Sequence, residues 1–343
     1  MTSGIPGNPG KDPRLSPYPG GNFGTPLELV DDLVVPTPLF FVRCNGGVPK
    51  IEPRAWRLTV DGFVDQPREF RLTELKRMPV RRLTAFLECA GNSRTKFDPV
   101  PEGTPWVNDA VGNAVWTGTS LSNVLDLAGV KRGTVDIVSQ GADFEGMQRG
   151  LPLAIARDPD VILVWEMNGA PLAPEHGGPV RLFVPRWAGI ASTKWLTRLS
   201  AQASAFDGYY NADNYILYSE AGEPLQPVRE MPVKSLIATP TDGAELTAGP
   251  QTVTGYAWSG FGGITRVDVS TDGGATWKPA EIVASGGRLS WCRFEHRWDA
   301  RPGTSRLLSR ATDERHLTQP ATAVWNLKGY QMNGIQGVAV TIR

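Results

Sequence analysis

Cysteine and histidine are scarce, with three of each in 343 residues, and none stands in a Cys-x-x-Cys or His-x-x-x-His pair. The usual zinc spacings are therefore excluded. Also missing are a Cys-x-x-Cys-His haem attachment site, a cluster of iron–sulfur cysteines, the His-Pro-Gly-Gly signature of a b5-type haem domain and a Gly-x-Gly-x-x-Gly dinucleotide fingerprint. No haem, flavin or NAD is expected on this chain. Neither sign of charge is in excess, since Lys+Arg and Asp+Glu stand at 35 each, which gives no ground for a nucleic-acid partner. Any anion site must be local. No apolar run is long enough to span a bilayer, so no membrane is expected.

Three widely separated cysteines cannot form a disulfide framework, and an odd count fits free thiols in a reducing compartment. Met1 to Gly24 is rich in Gly, Pro and Ser and shows neither a basic start before an apolar stretch nor a twin-arginine pair. The expectation is a cytoplasmic protein, or a periplasmic one if a leader was removed, with residues 1–24 as an extended or disordered arm.

What the chain does contain fits two domains. At 41% hydrophobic and 20% charged it can bury a large core. Pro and Gly concentrate between residues 219 and 233, which divides a first domain at 25–225 from a second at 234–343. In the first, Leu83 to Leu87 reads as a buried strand and Leu72 to Met78, before Pro79, as a short helix. Leu121 to Ala128 reads as a helix capped by Thr119 and Ser120 and stopped by Gly129. In the second, residues 251–258, 265–270, 306–312 and 338–342 alternate as strands, and Asp272-Gly-Gly and Arg301-Pro-Gly mark turns. Strands so spaced indicate a β-sandwich.

The densest chemical signal is Phe86-Leu-Glu-Cys89-Ala-Gly-Asn-Ser-Arg94, where a lone cysteine follows a strand and small turn residues let something bulky approach the backbone. Taken alone, such a cysteine is more often a small buried hydrophobe. An arginine five residues on adds a fork suited to gripping an oxoanion. Arginine in isolation more often ends in a surface salt bridge.

The peptide resembles the sulfite oxidase family of molybdopterin enzymes, in which the cysteine of a Cys-Ala-Gly-Asn-x-Arg context binds molybdenum. Phe40-Phe-Val-Arg43 with Val48-Pro49, Trp106 through Gly118, Asp158 through Gly169, His176-Gly-Gly-Pro-Val-Arg181 and Ser192-Thr-Lys194-Trp-Leu match in the same order, nearly continuously from about residue 36. The resemblance implies an α+β fold, with a mixed α/β molybdopterin-binding domain followed by an all-β immunoglobulin-like sandwich that pairs a homodimer. Val269 through Trp277 and Ala323 through Gly329 look like its sandwich strands. It also implies a molybdenum-molybdopterin cofactor, with Cys89 as metal ligand and Asn45, Gly46, Gly47, Val48, Pro49, Asp143, His176, Arg181, Ser192, Thr193 and Lys194 holding the pterin and its phosphate. Arg43, Arg94, Trp106 and Tyr215 fall where the family places its catalytic pocket. The implied reaction is sulfite to sulfate, with electrons passed to an external acceptor, a cytochrome or dioxygen.

Two departures bear on the substrate. Asn45 replaces a histidine near the active centre, and asparagine neither takes up a proton nor carries charge. The tail Asn333-Gly-Ile-Gln-Gly-Val lacks an arginine that some members carry. Another sulfur oxoanion, a sulfoxide or nitrate thus stays open as substrate, with a metal-free binding module as the rival outside enzymes. Cys44 reads as structural or as a pocket-wall thiol, and Cys292 as remote from the metal. Five tryptophans, Trp258, Trp277, Trp291, Trp298 and Trp325, exceed what a small sandwich core hides, so some are expected at an interface.

Overall fold

The computed structural model describes residues 10–144 and 147–343. Among these, the first domain is built on two sheets. One is antiparallel and orders the strands Ala170–Pro171, Ile162–Met167, Val111–Ser120 and Val80–Glu88, with Arg181–Phe183 also paired to Ile162–Met167. The other orders Arg68–Arg71, Arg57–Gly62, Leu196–Gln202, Asp136–Gly141 and Gln148–Pro152, with one parallel pair between Leu196–Gln202 and Arg57–Gly62. Both sheets are apolar on their packed faces, and two buried clusters result, one around Phe40, Phe86, Trp116 and Phe183 and one around Leu58, Val124, Leu163 and Leu199.

The helix Leu121–Ala128 ends where expected, because Gly129 adopts φ 67° and turns the chain into the left-handed region that glycine enters without strain. Its start differs from expectation. Ser120 occupies the N-cap without a side-chain hydrogen bond, and the Thr119 hydroxyl instead accepts from Asn123 Nδ2 at 2.7 Å. The segment after Arg71 is helical only over Leu72–Leu75, and turns carry it to Met78.

The second domain is a sandwich of two sheets. Lys234–Thr239, Gly249–Trp258, Cys292–Ala300 and Glu281–Ser285 form one, and Ala244–Leu246, Gly337–Ile342, Gly303–Asp313, Ile264–Ser270 and Lys278–Pro279 the other. Alternation places Val253, Phe294, Leu307 and Val340 between them. Cys292 lies in this core, and burial pushes its thiol up to about 12.

One expectation resolves between its two alternatives and another is corrected. Residues 1–9 lie outside the described residues, but from Lys11 onward the arm packs: Leu15 is buried, Ser16–Tyr18 and Asn22–Gly24 form a hairpin, and Phe23 and Val42 exchange two backbone hydrogen bonds. The packed Lys11, Leu15 and Phe23 carry the ordering that a Gly- and Pro-rich composition conceals. Ala323 through Gly329 is not a strand but an irregular segment that leaves the sandwich and reaches the first domain, where Trp325 Nε1 donates to Pro99 O at 2.9 Å. Trp258 and Trp291 also face that domain, donating to Glu88 Oε2 and Leu33 O at 2.7 Å each. Three of the five tryptophans thus serve an interface within the chain, while Trp298 packs against the sandwich core and Trp277 lies under Arg310 of the same domain.

Candidate active site

The strand Val80–Glu88 pairs with Val111–Ser120 along its whole length and stops at Glu88. Cys89 N still donates to Ala110 O at 2.9 Å, and then the chain turns, with Asn92 N donating to Cys89 O and Arg94 N to Gly91 O. Ser93 takes a left-handed φ of 67°, and Asn92 ties the turn down by accepting from Ala110 N and donating to Glu88 Oε1. The turn presents Cys89 at the meeting point of two cavities.

The inner cavity is narrow, about 80 Å³, and the outer one is wider, about 670 Å³. Arg43, Cys89 and Tyr215 line both. Tyr215 itself sits at φ 53° and stacks on Tyr330 with ring centroids 5.1 Å apart. Burial, together with the neighbouring Cys89, raises the Tyr215 pKa, while Arg43, Asn45 and Arg94 act the other way. The phenol is therefore a proton donor at neutral pH.

On the outer side, Arg94 is not a surface ion pair. It is 6% exposed, with Nη1 donating to Thr104 O at 2.6 Å and Nε to Lys328 O at 3.2 Å. Gly91, Gly103 and Gly329 close around its guanidinium, and a Cβ on any of the three would collide with it. Trp106 lines this cavity and is fully buried, and its Nε1 has no hydrogen-bonding partner among the described residues. The far wall comes from the second domain through Trp325, Leu327, Lys328 and Tyr330.

The inner cavity gathers Asn45, Asp143, His176, Arg181, Ser192, Thr193 and Lys194. Arg181 is buried and spends two donors on the carbonyls of His176 (3.0 Å) and Ser192 (2.8 Å), which fixes the cradle; burial lowers its pKa to about 9. Lys194 Nζ donates to Cys44 Sγ at 3.0 Å and to Glu175 O at 3.1 Å, and burial lowers its pKa. Cys44 is thus a partner of a cavity lysine. Ser192 Oγ accepts from Val184 N, and Thr193 Oγ1 pairs with Ser139 Oγ. Asp143 Oδ1 is buried without a partner among the described residues, and burial raises its pKa. An orphaned acceptor among several donors fits a ring system rich in N–H groups.

Gly46, Gly47, Val48 and Pro49 are not brought to either cavity. Gly46 backs onto the Phe144 ring, Gly47 turns at φ 89° and Val48 is 40% exposed, so this run leaves the site at Asn45. Conversely, Phe40, Phe41 and Glu175 line the inner cavity, and Lys328 and Tyr330 the outer, without having been singled out from the sequence. Lys328 lies in the peptide taken for a sandwich strand and Tyr330 just beyond it, and only the excursion of that peptide across the domain interface reveals them.

Residues 45–210 match the model of the oxidoreductase molybdopterin binding domain, and residues 226–342 that of the Mo-co oxidoreductase dimerisation domain. Fold and cavities together define a two-domain molybdopterin oxidoreductase. Sulfite oxidase of Gallus gallus is 34% identical over 94% of this chain and 77% of its own length; mitochondrial sulfite oxidase of Mus musculus is 34% identical over 92% and 63%. The sulfane dehydrogenase SoxCD from Paracoccus pantotrophus superposes with a TM-score of 0.87 at 31% identity, covering 95% of this chain and 86% of that one. The chain belongs to the sulfite oxidase family of molybdenum oxidoreductases, and it spans 63% of the length of the mouse relative.

Proposed function

We propose that the chain oxidises sulfite to sulfate at a molybdenum-molybdopterin centre and passes the electrons to an external acceptor, a cytochrome or dioxygen. The observation that carries this reading is the position of Cys89, shared by an inner cavity rich in pterin-type partners and an outer one lined by arginine. When bound, the centre supplies two-electron oxygen-atom chemistry with Cys89 as a soft thiolate ligand. The chain supplies the rest. Asp143 accepts ring N–H groups, His176 and Asn45 line the ring's cavity, and Lys194 and Arg181 neutralise phosphate, with Ser192 and Thr193 shaping the wall.

Arg43 and Arg94 bring fixed positive charge to a small dianion, and the buried Trp106 Nε1 and the protonated Tyr215 hydroxyl add neutral donors. The aromatic walls restrict water, which strengthens each of these contacts. In this reading the sandwich, residues 234–343, pairs two chains into a homodimer, and residues 25–225 form the cofactor domain. Metal analysis with fluorescence of released pterin tests the cofactor, and turnover with sulfite tests the substrate.

A second reading is a larger or different oxygen-atom partner, another sulfur oxoanion, a sulfoxide or nitrate. It is favoured by the uncharged Asn45 and by an outer cavity of about 670 Å³, more than sulfite fills. Turnover compared across sulfite, sulfoxides and nitrate separates the two.

A further inference from the structure

Lys11, on the N-terminal arm, inserts its side chain behind the inner cavity and is 2% exposed. Its Nζ has three partners: Thr37 O at 2.7 Å, Phe40 O at 2.7 Å and His176 Nε2 at 3.0 Å. The backbone around it is anchored, since Asp12 N donates to Pro38 O and Leu15 is buried. Two of the three contacts are carbonyl oxygens, which only accept, so two N–H bonds of Nζ are committed to them. The third position faces Nε2. An ammonium places an N–H there, and Nε2 must accept it. A neutral imidazole holds one proton, which then sits on Nδ1.

His176 is neutral in this setting. Burial holds its pKa well below the usual range, the cations Lys11, Lys194 and Arg181 push the same way, and only the Thr37 carbonyl opposes them. Its ring lies edge-on to Phe40 at 5.5 Å and lines the inner cavity. Among the described residues the hydrogen-bonding neighbours of the ring are Lys11 Nζ, at Nε2, and the Thr37 carbonyl.

We propose that Lys11 is a positioning residue for His176, fixing the Nδ1–H tautomer so that the ring offers its cavity a hydrogen-bond donor rather than an acceptor. The inference deepens the reading of the inner cavity as the pterin site and rests on it for its purpose. Removal of one proton from Lys11 to solvent reverses both roles: the amine keeps two N–H bonds for the carbonyls, its lone pair faces Nε2, and the ring proton moves from Nδ1 to Nε2. Burial brings this within reach by pushing the Lys11 pKa down to about 7, against the attraction of Glu175. The charged and titratable groups around the pair are Glu175, Arg181 and Lys194, with Cys44 beyond Lys194.

The test is nitrogen NMR of the full chain labelled at histidine, which has only three such residues, with the His176 signals identified by their loss in His176→Gln. Below pH 7 the parent should show a protonated Nδ1 and a bare Nε2. Lys11→Met should shift the proton to Nε2, which then donates to the carbonyls that Lys11 vacates. Lys11→Arg, permanently charged, should restore the parent tautomer and hold it across pH. Identical His176 tautomers in the parent and Lys11→Met at each pH would overturn the proposal. If Lys11→Met fails to fold, Lys11→Arg decides: a tautomer fixed from acid to alkaline pH supports it, and a tautomer that changes with pH as in the parent overturns it. Pterin content of the same samples separates the two claims. A His176 that follows Lys11 in protein that never binds pterin upholds the positioning role and removes the cofactor reading alone.

Discussion

Lys234 of the sandwich places Nζ 3.2 Å from Glu88 Oε1, and both side chains are sealed from solvent at 1% and 0% exposure. Glu88 directly precedes Cys89. Its carboxylate also accepts from Asn92 Nδ2 at 2.9 Å and Trp258 Nε1 at 2.7 Å, while Lys234 donates to Ser93 Oγ at 2.8 Å. Burial lowers the Lys234 pKa and the Glu88 charge raises it. The second domain therefore clamps both ends of the turn that carries Cys89 and Arg94.

Breaking that pair on one side leaves a buried unpaired charge. Lys234→Met should destabilise the chain by about 3–5 kcal/mol, and Glu88→Gln by less, because the amide still meets Trp258. The double variant Lys234→Met/Glu88→Gln should recover part of the loss. Denaturant unfolding of the three variants measures this, and additive losses would contradict the clamp.

Truncation at Val233 removes the sandwich from the cofactor domain, and if the two domains were independent the remainder would be a monomer that keeps pterin. The structure predicts otherwise. Such a chain loses Lys234, Trp258, Trp291 and the Tyr330 ring stacked on Tyr215, and it exposes Glu88. Size-exclusion chromatography with pterin fluorescence should find aggregated protein or protein without pterin. A soluble, pterin-loaded fragment would show that the interface is dispensable.

Arg94→Gln and Arg43→Gln should each raise the KM for sulfite about tenfold or more, since a charge-assisted contact is worth roughly 1.5–3 kcal/mol. Arg71→Gln, on the exposed surface, is the control. Gly91→Ala should resemble Arg94→Gln, because its Cβ would displace the guanidinium. Steady-state kinetics that leave all four like the parent would move the substrate away from these residues.

Stability should rise with pH above about 7. Lys11 folds with a pKa of about 7 against 10.5 when unfolded, so between these values the unfolded chain holds a proton that the folded chain lacks. The slope from this group approaches about 1.4 kcal/mol per pH unit. Urea midpoints at pH 7 and pH 9 should differ more in the parent than in Lys11→Met. Equal differences would place the Lys11 titration elsewhere.

Much of this site was legible in sequence because it lies in local peptides. Cys89 and Arg94 share one turn, His176 and Arg181 bracket another, and both families of contact follow from short-range spacing. The helix Leu121–Ala128 ends at Gly129 as read, although the expected Ser120 cap makes no side-chain hydrogen bond, and the alternating strands marked the sandwich. What stayed hidden was long-range. Lys11 reaches His176 across 165 residues and Lys234 reaches Glu88 across 146, and no periodicity encodes such a pairing. The composition of residues 10–24 resembles a linker because its packing depends on a few side chains, Lys11, Leu15 and Phe23, among many glycines and prolines. Gly46 through Pro49 adjoins Asn45 in the chain, yet it leaves the site directly after that residue, which adjacency in sequence does not reveal.

The central claim is that Cys89 ligates molybdenum where the two cavities meet. X-ray absorption at the molybdenum edge, on the parent and on Cys89→Ser, Cys44→Ser and Cys292→Ser, counts the sulfur ligands directly. The account predicts bound molybdenum in the parent, one sulfur fewer in Cys89→Ser with sulfite turnover abolished, and no change in the other two. The same sulfur count in Cys89→Ser, or protein loaded with pterin yet free of molybdenum, would contradict it.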